Sequence, residues 1–203
     1  MKKKIIPFSL LLFWGFVAVC QGKWELKRDE SGIKVFTRNT TNSDRKEVRV
    51  ICELDATRAQ LVSTLLDIGN YKTWVYANEK AVLLKTLGPK KIIFYTQSHL
   101  PWPVKDRDLV VELNIAEKPN GLNIEAKSLP GYLPKNKNFV RVPYSLEVWN
   151  VTAIPNNKLK ADYTFSFDSG GSVPAWLANT TLTTGPFNSF VKLRELLRGK
   201  YAR

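Results

Sequence analysis

The sequence predicts an α+β protein in which a curved antiparallel sheet wraps around one long C-terminal helix. Three observations carry that prediction. Between Trp24 and Phe167 the chain is a series of short alternating segments separated by Gly, Pro, Asn and Asp turns, the pattern of antiparallel strands. From Ser172 to Arg198 it becomes one long stretch at helical spacing. Pro174 sits where a first turn tolerates it, and Arg194, Arg198 and Lys200 lie at the end where cations suit the helix dipole. Finally, Trp176, Phe187, Phe190, Val191, Leu197 and Tyr201 project near one face of that helix, with Leu193 and Leu196 widening it. So large an aromatic face needs a cover, and a sheet with one apolar face supplies it.

In chain order, Trp24 to Lys27 and Ile33 to Arg38 read as a hairpin turned at 29–32. Lys46 to Leu54 alternates, with Val48, Val50, Cys52 and Leu54 on one side. Thr57 with Gln60 is a capping box that opens a helix carrying Leu61, Leu65 and Ile68, and an aromatic turn around Trp74 follows. Strands resume over 80–87, 91–100, 107–117 and 122–128, punctuated by Gly88-Pro89, Pro101-Trp102-Pro103 and Pro119-Asn120-Gly121. Val140 to Ile154 reads as one long strand. Lys158 to Phe167 alternates cleanly, with Leu159, Ala161, Tyr163, Phe165 and Phe167 facing one way. Within the C-terminal helix, Gly185-Pro186 predicts a kink or restart. A sheet of seven to nine strands need not touch the helix everywhere, which leaves room for an apolar space of roughly 300 to 1,000 Å³.

Composition narrows the function. Residues 1–22, with Lys2-Lys3-Lys4, an apolar run from Ile5 to Val19 and small residues beyond it, read as a secretory signal ahead of one domain over 23–203. The alternatives are an uncleaved anchor and, ranking third, an acylated Cys20. Once the signal is removed Cys52 is the one cysteine left, so no internal disulfide forms, and one Cys with one His does not make a zinc site. The net charge of +13 falls to +10 without the three signal lysines. Basic residues scattered over alternating strands, in an exported chain, argue against nucleic acid and for transient contact with an anionic membrane surface.

The motifs then become specific. The run Pro101-Trp102-Pro103-Val104-Lys105-Asp106-Arg107-Asp108 resembles the PWP and RD signature of START (steroidogenic-acute-regulatory-protein-related lipid-transfer) domains. Gly170-Gly171-Ser172-Val173-Pro174-Ala175-Trp176 is similar to that family's entry into its C-terminal helix, and Gly32 to Arg38 to one of its early strands. The resemblance spans Trp24 to about Arg198. It implies a helix-grip (START-like) fold holding one hydrophobic ligand, usually a lipid or sterol, without cofactor or catalysis; a monomer without a metal is expected. It also implies, in sterol-binding members, a cavity carboxylate and a cavity base at positions matching Phe94 and Leu113, which are apolar here.

The ligand-binding candidates are accordingly Phe94, Trp102, Arg107, Leu113, Trp176, Phe187, Phe190 and Val191. Arg107 shares strand parity with Leu109, Val111 and Leu113, so its charge must be compensated. The choice is between a headgroup anchor and an ion pair that fixes the start of the strand. Trp102 reads either as a mouth or membrane-facing residue or as a cap on the core. The helix aromatics would look the same as cavity wall or as plain core. The rival function is an enzyme of related grip architecture, a cyclase or hydrolase, with His99 as its base; no nucleophile motif accompanies that histidine. A second rival is a sensor that signals to a partner protein. Lys192, Arg194 and Arg198 are expected near the ligand's entry path.

Overall fold

The computed structural model describes residues 22–39 and 46–201, so the signal expected over 1–22 lies, apart from Gly22, outside the described residues. Two strands, β1 (Glu25–Glu30) and β2 (Ile33–Asn39), form a hairpin. Its two-residue turn, Ser31-Gly32, has both φ angles positive, the geometry whose twist matches a tight hairpin. Next comes β3 (Lys46–Leu54), whose Val48, Val50, Cys52 and Leu54 are all buried, as their alternation requires.

The chain now leaves the sheet. The Thr57 and Gln60 capping box closes reciprocally, with Gln60 N donating to Thr57 Oγ1 at 3.3 Å and Thr57 N to Gln60 Oε1 at 2.7 Å. It opens α1 (Arg58–Leu66), which buries Leu61 and Leu65. A 3-10 turn, Ile68–Asn70, and the short α2 (Tyr71–Trp74) carry the chain to the far edge of the sheet. There the meander begins with β4 (Asn78–Gly88), β5 (Lys91–Ser98), β6 (Arg107–Lys118) and β7 (Gly121–Ser128).

The expected single strand over 140–154 is two pieces. A short β8 (Val140–Arg141) runs parallel to the start of β6, and β9 (Tyr144–Ile154) pairs with β7. Pro143 lies between them without an N–H for the ladder, which is why one strand cannot pass through. The detour sets Arg141 against Asp108 at 2.9 Å on both oxygens, with both side chains buried. Arg141 also donates to the carbonyls of Pro130, Leu133 and Pro134, so one guanidinium pins the whole 129–139 loop over the outer face of β6.

Finally β10 (Lys158–Asp168) pairs with both β9 and β3, closing the order β1-β2-β3-β10-β9-β7-β6-β5-β4. The concave side of this ten-stranded sheet is covered by α1, α2 and α3 (Ala175–Tyr201). The core sits between them, from Ile33, Val50 and Ile124 on the strands to Leu61, Leu193 and Leu197 on the helices.

The restart expected at Gly185-Pro186 does not occur: α3 runs unbroken through both residues. A proline at helical φ withdraws only its own hydrogen bond. Gly185 serves close packing, since a Cβ there would lie 3.2 Å from Tyr76 Cδ1. Tyr76 N donates to Ser189 Oγ at 2.9 Å and tightens the same contact. Among the described residues no helix is long and apolar enough to cross a membrane.

Candidate ligand cavity

Strand register places Leu113, Ala126, Glu147 and Phe165 in one row across β6, β7, β9 and β10. Ile124, Trp149 and Tyr163 form the next row, with Phe94 opposite Val111 on β5 and β6. Side chains of one row share a face, and this face is concave. Tyr71 and Trp74 of α2 and Gly185, Pro186 and Phe190 of α3 close over it, enclosing a cavity of about 270 Å³, just below the expected range.

The walls are aromatic. Trp149, Tyr163 and Phe190 pack with ring centroids 4.9 to 5.3 Å apart. Across from them Tyr71 meets Trp74 at 5.1 Å and Phe94 at 5.4 Å, mostly edge to face. The Tyr71 hydroxyl is spent on the Leu65 carbonyl, 2.6 Å away, so this ring presents apolar surface.

One charge interrupts the apolar lining. Glu147 faces inward, and burial pushes its carboxyl from the ordinary 4.5 up to about 7, although hydrogen bonds from Tyr163 and Trp149 pull the other way. The same burial, with the nearby carboxylate, drives the Tyr163 hydroxyl well above its usual range. Two further polar atoms at the lining, Trp74 Nε1 and Asn78 Oδ1, are buried without a partner, while Asn78 Nδ2 donates to Thr96 Oγ1. Among the described residues no Lys, Arg or His lines the cavity.

The structure brings three of the eight candidate residues together: Phe94, Leu113 and Phe190 all line this space. Phe187 and Val191 do not. At 100° per residue Phe187 stands about 60° round α3 from Phe190, so it turns to the other flank. There Arg28 of β1 lies 3.4 Å over its ring, and Val191 packs against the core rather than the cavity. The single aromatic face expected for α3 is thus two flanks, one toward the cavity and one toward the β1-β2 hairpin. The Trp176 side chain lies outside the described residues.

Arg107 is buried but does not reach the cavity either. Its guanidinium donates to the carbonyls of Lys105, Ser169 (3.5 Å) and Gly170 (3.1 Å). Among the described residues it pairs with no carboxylate; it ties the start of β6 to the loop leading into α3. Gly170 and Gly171, both at φ near +60°, turn those carbonyls toward it. Trp102 is 90% exposed, which rules out the core-cap reading. Arg194 and Arg198 are also placed differently. They reach the Ser31 carbonyl and Asp55, about 14 and about 20 Å along α3 from Gly185.

His99 stands outside the cavity, exposed, with Nδ1 3.0 Å from Asp106 Oδ1. Glu79 approaches the same pair, so carboxylates as well as Cys and His enter the metal-ligand count at the surface.

Sequence reasoning missed Glu147, although a signal for it existed. Once β9 starts after Pro143, Glu147 shares parity with Trp149 and Val151, both apolar and inward.

Comparison with known proteins agrees with this architecture. The START domain family model matches residues 17–202. An uncharacterized protein of Pseudomonas aeruginosa is 30% identical over 173 residues, 85% of each chain. The crystal structure of a STAR-related lipid transfer protein from Xanthomonas axonopodis is 31% identical, with a TM-score of 0.79 over 86% of this chain and 98% of that one. Human STARD10, at 20% identity, shares the fold with a TM-score of 0.74 over 88% of this chain and 76% of its own. With the helix-grip architecture and the family match in agreement, the chain belongs to the START domain family.

Proposed function

We propose that this protein is an exported lipid carrier that takes the apolar part of one amphiphile into the cavity between the sheet and α3. The observation that carries the reading is the cavity itself, an aromatic-walled space in which Glu147 is the single charged group among the described residues. Its similarity to a protein described as a STAR-related lipid transfer protein supports the same reading. Export rests on the pattern of residues 1–22, and N-terminal sequencing of the exported form tests it: loss of the segment near Cys20 to Lys23 is expected.

The mechanism is partition. Burying an acyl chain gains about 0.8 kcal/mol per CH₂, and a bilayer offers the same gain, so a carrier works near parity with the membrane. Exchange matters more than tightness. Catalysis would need a nucleophile and a base converging on the ligand. The lone histidine is instead held by Asp106 at the surface.

The test is native mass spectrometry of protein purified from its own source, followed by extraction of the bound molecule. A co-purifying lipid is expected. Leu113→Trp, which fills the cavity from its floor, should lose that lipid while keeping its thermal melt. Retention of the lipid by this variant would place the ligand elsewhere.

A further inference from the structure

We infer that the cavity selects amphiphiles whose polar group is an ammonium cation, with the Glu147 carboxylate as its counter-charge. This rests on the lipid reading above and specifies its ligand class.

Among the described residues Glu147 has no cationic partner. Its hydrogen bonds come from Tyr163 and Trp149, which are neutral, and among the described residues no basic side chain lines the space. An ionised carboxylate in an apolar cavity is costly unless a positive charge compensates it. A neutral amphiphile leaves that charge bare, and a fatty acid or phosphate adds a second negative one. An ammonium group removes the deficit and donates N–H bonds to it. The ring faces of the surrounding aromatic side chains favour a cation over a neutral donor.

The charge of the site near neutrality is set by Glu147 alone. Three tyrosines also line the cavity, Tyr163 of β10, Tyr71 of α2 and Tyr76, and burial pushes the first two upward. The strands and α3 otherwise present Asn78, Thr96, Ser98, Thr181 and Ser189, which do not titrate.

Calorimetric binding of decylammonium, decanol and decanoate to the delipidated protein tests the inference. Between about pH 6 and about pH 8 Glu147 passes from mostly neutral to mostly ionised, so decylammonium should tighten roughly tenfold while decanol stays constant and decanoate weakens. In wild-type protein near pH 7, decylammonium should release roughly half a proton per molecule bound, a readout that needs no variant. Glu147→Gln should lose both the preference for decylammonium and its pH dependence. If decanol matches decylammonium at the higher pH, or no proton is released, the ammonium inference fails while lipid binding stands. If none of the three binds, the lipid reading fails with it.

Discussion

Arg107 and Asp108, adjacent on one strand, point to opposite faces and are both buried, and each is compensated by a different device. Arg107 is held by backbone carbonyls, so Arg107→Leu should leave the 168–171 loop untied and lower the thermal melt by roughly 1.5 to 3 kcal/mol, while lipid affinity of the folded fraction stays the same. Asp108 is held by Arg141 in a dry pair, and removing one partner strands the other charge. Arg141→Met should cost about 3 to 5 kcal/mol, and adding Asp108→Leu should recover much of that loss in a double-mutant cycle followed by denaturant titration. Glu147 behaves in the opposite sense from a paired carboxylate. Its folded-state pKa is raised, so the protonated form is the one that folding favours, and stability present below the ordinary 4.5 is lost as pH rises toward about 7. Glu147→Gln removes that dependence. The ligand-free variant should melt with wild-type protein in acid and above it at pH 8, by up to about 3 kcal/mol; coincident melts at both pH values would show that the carboxyl is better solvated than its setting implies.

At the scale of elements, what could be read from sequence was whatever depends on neighbours in the chain. The capping box at Thr57, the β1-β2 turn and the inward faces of β3 and β10 follow from local patterns alone, and each is present. What depends on distant partners was not legible. The Asp108–Arg141 pair joins residues 33 apart through a strand break that only Pro143 signals, and the split of α3 into two flanks depends on what packs against each. Gly185-Pro186 shows the limit most clearly, because the same dipeptide reads as a break in sequence and acts as a packing site in the fold. Prediction at this scale follows from that role. Pro186→Ala returns an N–H to the Leu182 carbonyl and should stabilise α3, by up to about 3 kcal/mol in thermal melts. Gly185→Ala gains helix propensity of only about 1 kcal/mol and pushes a methyl to 3.2 Å from the Tyr76 ring, so it should show little net gain or a loss.

For the whole molecule, the charge is divided between surface and interior: the chain is strongly basic, yet the one charge in the cavity is acidic. On the proposed carrier reading the two would have separate tasks, the first acting on membranes over a Debye length and the second on a ligand already inside. The end of the cavity marked by Ser98 and Leu109 lies where the loop 99–106 leaves the sheet, and that loop carries Trp102 in nearly full exposure. The His99 amide donates to the Ala77 carbonyl at 2.9 Å, which fastens the loop beside Tyr76 and its contact with α3. On the proposed carrier reading, a tryptophan projected into water from this loop suits a membrane interface, where its ring is favoured. Fluorescent lipid transfer between vesicles should therefore be faster from anionic than from zwitterionic donors, each Lys or Arg near the surface contributing about 1 kcal/mol, and should slow as salt is raised. Trp102→Ser should slow transfer from both kinds of vesicle without moving the thermal melt or the affinity for decylammonium, because it removes docking and leaves the cavity intact. Transfer at the wild-type rate by this variant would move the docking surface away from the 99–106 loop, and the exposed leucines of β4, Leu83, Leu84 and Leu87, would be the next surface to substitute.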